Sequence, residues 1–445
     1  MTDFLQLRSL KTVSVAEEGN SYLVRAQGIG QLTSCPSCVV GRLYSHGTQE
    51  QSYQDTPSHG NPVRIVIQRR RYRCTGCGKT CLEPIADLDG KRQATSRLIK
   101  FIQDRCQKET FSSLAKEVGL DEKTIRHVFQ DFVEDVQAKI RFPTPTILGI
   151  DEIKVIGDYR AILTNIGRNT VFDLLPTRIK ADLLPYFRNL RDKEQVEWVT
   201  MDMYQVYRDV VRNTLPDARI VVDRFHIQRM ANDALEKLRK RVRKGLSDRQ
   251  RLKLKDERFL LLKRQHDLGH ADAQKMLAWF GQFPQLGEAH ALKEGFLSIW
   301  DEKTRSGAEA ACERWKANIS PDMKPVFKDL STAVRNWHEE IFSYFEKPIT
   351  NAYTESINRL AKDMNRMGRG YSFDVIRARM LYAEKALKDG AQIETTYVDE
   401  GGSGSYEFVM AAPSRKTRRK MVQRIVFYGP YIPTLCEMLE AGYFE

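Results

Sequence analysis

Ile147-Leu148-Gly149-Ile150-Asp151-Glu152-Ile153-Lys154-Val155 is an apolar run that carries an acidic residue at its centre. Two further runs follow, Tyr159 to Ile166 and Thr170 to Leu175, separated by the turn signals Gly157-Asp158 and Arg168-Asn169. Short strand-like segments joined by tight turns predict an antiparallel meander. Next come a helical pattern from Ile179 to about Leu190, the buried run Trp198-Val199-Thr200-Met201 ending on Asp202, a helix from about Gln205 to Thr214, and Ile220-Val221-Val222 ending on Asp223. Three antiparallel strands, then helix, strand, helix, strand, predict a mixed sheet whose later strands add in parallel. That order brings the middle of the first strand beside the end of the fourth, so Asp151 and Asp202 are expected to meet. Glu152 alternates to the opposite face.

A carboxylate at the end of a buried strand is costly to desolvate unless something compensates it. Asp202 and Asp223 are two such endings, Asp151 is set within a buried strand, and the distant segment Asn351-Ala352-Tyr353-Thr354-Glu355 supplies a fourth acid. A shared compensator is implied, most economically divalent cations with oxygen ligands. Converging endings of this kind predict phosphodiester chemistry. The bulk composition agrees: 71 Lys+Arg against 58 Asp+Glu over 445 residues gives a net charge of +13, which favours a polyanionic partner. With 41% hydrophobic residues the chain can bury real cores, and its length suggests two to four domains. It has no run of eighteen apolar residues, and Met1-Thr2-Asp3-Phe4-Leu5-Gln6 lacks the charged and apolar regions of a signal peptide. No membrane partner and a cytoplasmic location are expected.

Four of the eight cysteines form two Cys-x-x-Cys pairs, Cys35/Cys38 and Cys74/Cys77. Each lies on a small turn containing Pro or Gly, so that paired thiolates reach one tetrahedral ion, and structural zinc is predicted. Cys81 and His46 could substitute for a ligand, whereas Cys106, Cys312 and Cys436 read as ordinary buried thiols. Between the pairs, Val63 to Gln68 alternates like a strand and leads into Arg69, Arg70 and Arg71, consistent with a zinc ribbon whose basic edge touches phosphate. A helical stretch from about Ser96 to Ile140 follows. Within it, Phe111 to Arg126 reads as a helix-turn-helix: Ala115 permits close crossing, Gly119 the reversal, Leu114, Val118, Leu120 and Ile125 a small core, and Asp121 a cap. Lys123, Thr124, Arg126 and His127 would lie at the front of the helix that enters the major groove. An ordinary helical hairpin is the alternative.

Glu355 belongs to a helix on which Asn351, Glu355, Asn358 and Lys362 share a face, and Arg359, Lys362, Arg366 and Arg369 make that region basic enough to follow a DNA backbone. The span from His226 to Glu355 reads as helix nearly throughout, with basic runs Lys237 to Lys244 and Arg249 to Lys255; Trp279, Trp300, Trp315 and Trp337 within it read individually as core. After about Lys388 the pattern weakens, 399–405 is linker-like, and Arg415 to Tyr431 is a basic and apolar tail. The expected organisation is α+β and multidomain: a zinc ribbon over 1–92, a helix-turn-helix over 93–142, a catalytic core over 143–229, a helical insertion over 230–345, the rest of the core with Glu355 over 346–390, and a linker and tail over 391–445.

Taken in order, the paired cysteines, the helix-turn-helix near Gly119, Gly149-Ile150-Asp151-Glu152, Asp202, Asp223-Arg224-Phe225-His226 and Asn351 to Asn358 resemble the DDE transposases of bacterial insertion sequences, of the ISL3 type. The resemblance implies a ribonuclease H-like core interrupted by an all-helical insertion, with Asp151, Asp202 and Glu355 as the catalytic acids holding magnesium or manganese. In related transposases the middle acid follows the fourth strand, which favours Asp202 over Asp223. Asp223, His226, Asn351 and Asn358 would then be accessory. Implied partners are the terminal inverted repeats, target DNA and a second copy of the chain in a homodimer or larger assembly, nucleoid-associated when bound. A DNA-binding regulator that has lost catalysis, or a structure-specific nuclease of the same fold, are the competing readings.

Overall fold

The computed structural model describes residues 3–30, 32–38, 42–140, 142–248, 258–368 and 370–382, and beyond them the backbone of three strands. The basic run Arg249 to Lys255, Arg369, Cys436 and most of the C-terminal tail lie outside the described residues. Contacts divide the chain into two compact units, with the break between Arg141 and Phe142, beside Pro143.

The N-terminal unit contains the strands β1 (Leu10–Glu18), β2 (Ser21–Gly28), β3 (Leu43–Ser58), β4 (Asn61–Cys74) and β5 (Thr80–Leu82) in the order β1-β2-β4-β3, with β5 on β4. The alternation from Val63 to Gln68 is realised as expected: Val63, Ile65 and Ile67 face a core shared with Leu5, Leu10, Val24 and Tyr53. The helices α1 (Ser96–Arg105), α2 (Phe111–Val118) and α3 (Glu122–Lys139) follow. Gly119 ends α2 in the left-handed conformation at φ +70, and Asp121 caps α3 by accepting from the Thr124 amide at 2.9 Å. Leu114, Val118 and Ile125 are fully buried between these helices. The expected boundary at residue 92 is not a break. Buried Asp55 on β3 accepts from the Thr95 hydroxyl at 2.7 Å and from Arg97 before and within α1, and the Gln54 side-chain amide donates to the Gly119 carbonyl at 3.1 Å.

At one end of β3 and β4 the sulfurs of Cys35, Cys38, Cys74 and Cys77 converge within 4.8 Å of one another. Two Sγ–Sγ separations are 3.7 Å (Cys35 to Cys77) and 3.5 Å (Cys38 to Cys74). A tetrahedron with metal–sulfur bonds near 2.3 Å has edges of about 3.8 Å, so the cluster fits zinc. Backbone amides of Ser37 and Cys38 hold the Cys35 thiol down at about 6. Cys77, although the Lys79 amide favours its thiolate, is pushed up to about 11 by desolvation and by the neighbouring sulfurs. Such crowding is relieved when a cation binds all four. Cys81 and His46 stand outside the cluster, and Cys106 and Cys312 are buried.

The second unit holds the sheet β10-β9-β6-β7-β8, formed by β6 (Ile147–Val155), β7 (Asp158–Asn165), β8 (Thr170–Leu174), β9 (Trp198–Met201) and β10 (Arg219–Val222). The pairs β6/β7 and β7/β8 are antiparallel, and β6/β9 and β9/β10 are parallel. The helices α4 (Lys180–Arg188), α5 (Gln205–Thr214) and α6 (Arg224–Lys244) connect or extend these strands. The span that follows is helical in its described residues, including His270–Gln282, Pro284–Leu297 and Arg305–Ala317. Its apolar residues are continuous with those under the sheet: one core runs from Leu148 and Val199 through Ile227 and Leu235 to Phe296, Trp315 and Phe342. For that reason α6 runs unbroken across the expected boundary at residue 229. Trp315 and Trp337 are buried, and Trp279 and Trp300 pack against the same core, as read from the sequence.

After the insertion, the helix Ala352–Gly368 lies on β6, followed by a helix Phe373–Tyr382. Beyond these, where a linker and tail were expected, Gln392–Asp399, Ser405–Phe408 and Arg419–Val426 form a three-stranded sheet. Among the described residues no helix is long and apolar enough to cross a membrane.

Gly149 sets the approach of the Ala352–Gly368 helix to β6. A Cβ there would stand 2.9 Å from Asn351 Oδ1 and 2.8 Å from Ile166 Cδ1, closer still to the Thr164 hydroxyl. Gly149→Ala is therefore expected to destabilise the unit by about 1–3 kcal/mol, the usual range for overpacking, read as a lower denaturant midpoint at unchanged slope. Metal analysis of the purified chain should find about one zinc per chain, and Cys74→Ser should lose it.

Candidate active site

The register of the parallel strands aligns their ends. Ile150 pairs with Met201, and Met201 pairs with Val222, so the next residues, Asp151, Asp202 and Asp223, stand side by side on β6, β9 and β10. Both aspartates that end apolar strands are thus at the site together. Asp223 also serves as N-cap of α6, accepting from the Phe225 amide at 3.2 Å, and one turn of helix then presents His226. His226 Nε2 lies 2.9 Å from Asp202 Oδ1 and 3.9 Å from Glu355 Oε1. Single ligand atoms of Asp223, His226 and Glu355 fall within 4.8 Å of one another.

The helix carrying Glu355 is pinned to the sheet by its polar face. Asn358 Nδ2 donates to Asp151 Oδ2 at 2.7 Å, and Asn351 Nδ2 donates to the Ile150 carbonyl at 3.4 Å. The Thr354 hydroxyl meets the Thr164 hydroxyl of β7 at 2.7 Å and donates to Asn351 Oδ1. Asn351, Thr354 and Asn358 are buried, at spacings of three and four along the helix. The remaining Asp151 oxygen accepts from the Glu152 amide at 2.7 Å, so this carboxylate is fixed from both sides.

The electrostatics are those of too many acids in too little water. Burial, then the neighbouring charge of Asp202, pushes Asp151 up to about 8. Asp223 is raised by burial against the opposing Phe225 amide, and Glu355 by burial and by Asp223. Burial works against a charged His226, yet its contact with Asp202 and the charges of Asp202, Asp223 and Asp151 raise its pKa overall. An imidazolium offsets one negative charge among four carboxyl groups. Carboxylate oxygens with one imidazole are a donor set that divalent cations take, and a cation would relieve the upward shifts by the same Coulombic interaction that causes them.

The DNA-facing residues read from the sequence divide into two groups. Lys123 and His127 are exposed on α3, and Arg359, Lys362 and Arg366 on the outer side of the Glu355 helix, where Arg366 pairs with Asp363. Others are engaged within the chain. Arg69 donates to the Glu83 carbonyl, Gln51 and the Tyr53 hydroxyl, and Arg70 pairs with the buried Glu83 carboxylate at 2.9 Å, so the two tie β4 to the segment after β5 instead of forming a free basic edge. Arg71 is half-buried in the β4/β5 pairing. Thr124 donates its hydroxyl to Asp121 at 2.7 Å, and Arg126 pairs with Glu122 over the Phe111 ring. Lys362, expected to share a face with Glu355, is exposed, whereas Asn351 and Asn358 turn inward. Sequence reasoning missed Arg178, which borders the site beside Glu152 and Tyr204; nothing in Thr177-Arg178-Ile179 marks it out.

Comparison with known proteins agrees with this geometry. Residues 148–380, which contain the whole acidic cluster, match the ISL3-type DDE family described as "Transposase". Residues 31–77 match the "zinc-finger of transposase IS204/IS1001/IS1096/IS1165". The chain is 21% identical over 366 residues to the transposase for insertion sequence element IS1001 of Bordetella parapertussis, covering 80% of this chain and 89% of that protein. It is 24% identical over 344 residues to the transposase for insertion sequence element IS1557 of Mycobacterium tuberculosis, covering 71% and 73%. With more than half its length matched and the cysteine cluster in place, the chain belongs to the ISL3-type family of DDE transposases.

Proposed function

We propose that the chain binds the terminal inverted repeats of an insertion sequence, hydrolyses the phosphodiesters at its ends and joins the freed 3′ hydroxyls to target DNA. The observation that supports this reading is the shared register of Asp151 and Asp202, together with a Glu355 helix braced on Asp151 through Asn358 and a Glu355 carboxylate 3.9 Å from His226, which itself lies 2.9 Å from Asp202. The sheet order, three antiparallel strands extended by two parallel ones with a helical insertion before the last acid, supports a ribonuclease H-like core. Asp151, Asp202 and Glu355 are the proposed catalytic acids and the ligands of magnesium or manganese.

Divalent ions held by these acids would lower the pKa of the attacking water or 3′ hydroxyl and would steady the leaving oxygen of an in-line displacement. The protein supplies the geometry. Asn358 and the Glu152 amide hold both oxygens of Asp151, so the carboxylate does not swing when DNA arrives. His226 orients Asp202, and Asp223 anchors the helix that presents His226. No side chain acts as a covalent nucleophile. Exposed Lys123 and His127 on α3, with the zinc ribbon, are proposed to grip the repeat, while Arg359, Lys362 and Arg366 follow the backbone near the acids. Two ends must be joined, so a homodimer or larger assembly in the cytoplasm, on the nucleoid, is the working form.

Asp151→Asn should abolish end cleavage and strand transfer while leaving repeat binding intact, and unchanged cleavage would overturn the reading. Asn358→Ala should lower cleavage by roughly 10–100-fold, the usual effect of removing a partner that orients a metal ligand. The same Asp151→Asn variant reports on the electrostatics. An acid whose pKa rises on folding binds its proton more tightly when folded, so metal-free stability should fall as pH rises from about 4 toward about 8. Removing that carboxyl should raise the melting temperature at pH 8 without added divalent cation by roughly 2–4 °C, the shift that about 1 kcal/mol gives a unit of this size, and should flatten the pH dependence.

A further inference from the structure

We infer that Arg178 anchors the DNA phosphate next to the scissile one, in a cavity that opens directly from the acidic cluster; this rests on the transposase reading of that cluster. The cavity has a volume of about 360 Å³, and its walls include Asp202, His226, Glu152, Arg178, Tyr204 and Tyr207. Because Asp202 and His226 belong to both sites, a strand laid across the acids runs on into this cavity. Arg178 stands just before α4, in a segment tied to that helix by the Thr177 hydroxyl, which donates to Asp182 at 2.6 Å. Its guanidinium lies 4.5 Å from the Tyr159 ring centroid and 5.0 Å from that of Tyr204, and it is ion-paired with Glu152. The Tyr204 ring is itself set edge-on against buried Tyr207, with centroids 4.9 Å apart.

A guanidinium packed against two rings has little rotamer freedom left to lose on binding, and its planar fork of donors suits a phosphodiester. The cavity's other cation, Arg229, is a looser candidate: its side chain is 63% exposed and lies 3.9 Å from Asp233. Glu152 has a clear part in the arrangement. Its carboxylate is 38% exposed and occupies one edge of Arg178 in the free protein, keeping the fork aimed until a phosphate competes for it. Glu152 therefore opposes binding even as it orients the residue that binds.

The test uses the full-length chain without added divalent cation and a duplex bearing the terminal repeat of its own element. A single methylphosphonate, which removes one phosphate charge, is scanned over the positions next to the scissile bond. At one position the neutral linkage should weaken wild-type binding by about tenfold, the worth of one charge-assisted hydrogen bond, and Arg178→Ala should weaken binding of the unmodified duplex by a similar factor. Combined, the two changes should cost no more than either alone. Arg178→Lys, which keeps the charge but not the fork, should be intermediate, and Glu152→Gln should bind several-fold tighter. A methylphosphonate penalty that persists undiminished in Arg178→Ala at every position, or weaker binding by Glu152→Gln, would overturn the inference. Its failure is separable from failure of the acid-site reading, which depends on whether Asp151→Asn still cleaves and not on any change at Arg178.

Discussion

Three carboxylates at the same level of three neighbouring parallel strands is an arrangement that no fold adopts for stability. Strand pairing that aligns Ile150, Met201 and Val222 leaves no freedom to separate the next residues, and buried Asp151 bears the consequence as a carboxyl that resists ionisation. Hydrogen bonding and hydrophobic packing of the sheet force the like charges together. Energy released by burying Val199, Met201, Val221 and Val222 compensates the repulsion. In the folded chain alone the repulsion is only partly relieved, by one histidine and a set of amides. A divalent cation among these acids would relieve the remainder by the same Coulombic interaction that causes it.

The Glu355 helix shows how the same surface can be both close-packed and reactive. Its buried polar residues do not face a polar solvent pocket; they substitute for the water that the strand ends have lost. Asn351 takes a carbonyl of β6, Thr354 a hydroxyl of β7, and Asn358 an oxygen of Asp151, while Gly149 offers no side chain to hold the helix away. Glu355, one turn from the helix start and half-exposed, is left facing the cluster. The placement of Glu355 thus comes from three buried, neutral side chains on its own helix and the residue before it.

Much of this was legible from periodicity. Alternation in 63–68, the apolar runs before Asp202 and Asp223, and the Gly119 turn each impose a local geometry that the fold keeps, because local pattern and tertiary packing agree there. The cysteine pairs were legible for a different reason: two Cys-x-x-Cys pairs supply the four thiolates of one tetrahedral ion. What the sequence concealed depends on contacts distant in the chain. Arg69 and Arg70 look like a free basic edge until Glu83 folds back, its carboxylate neutralising Arg70 and its carbonyl engaging Arg69. Arg178 is one cation among seventy-one Lys and Arg residues, and its setting comes from the rings of Tyr159 and Tyr204, which lie distant in the chain. The choice between Asp202 and Asp223 could not be made from spacing because strand register puts both at the same place.

The helical insertion, which the sequence presents as an interruption, is mechanically part of the site. Arg208 of α5 donates to the Asn336 carbonyl at 2.8 Å and lies 4.0 Å from the Trp337 ring centroid, and Arg212 of the same helix pairs with buried Glu340 at 2.6 Å. Helix α5 starts three residues after Asp202, and α6 starts directly after Asp223. Both elements that leave the acid-bearing strand ends are therefore buttressed by the insertion, through those polar ties on α5 and through Ile227, Ala231 and Leu235 in the common core on α6. The insertion thus holds the strand ends that carry Asp202 and Asp223 through two rigid helices, whereas Asp151, in the middle of β6, is held by its own strand and by Asn358.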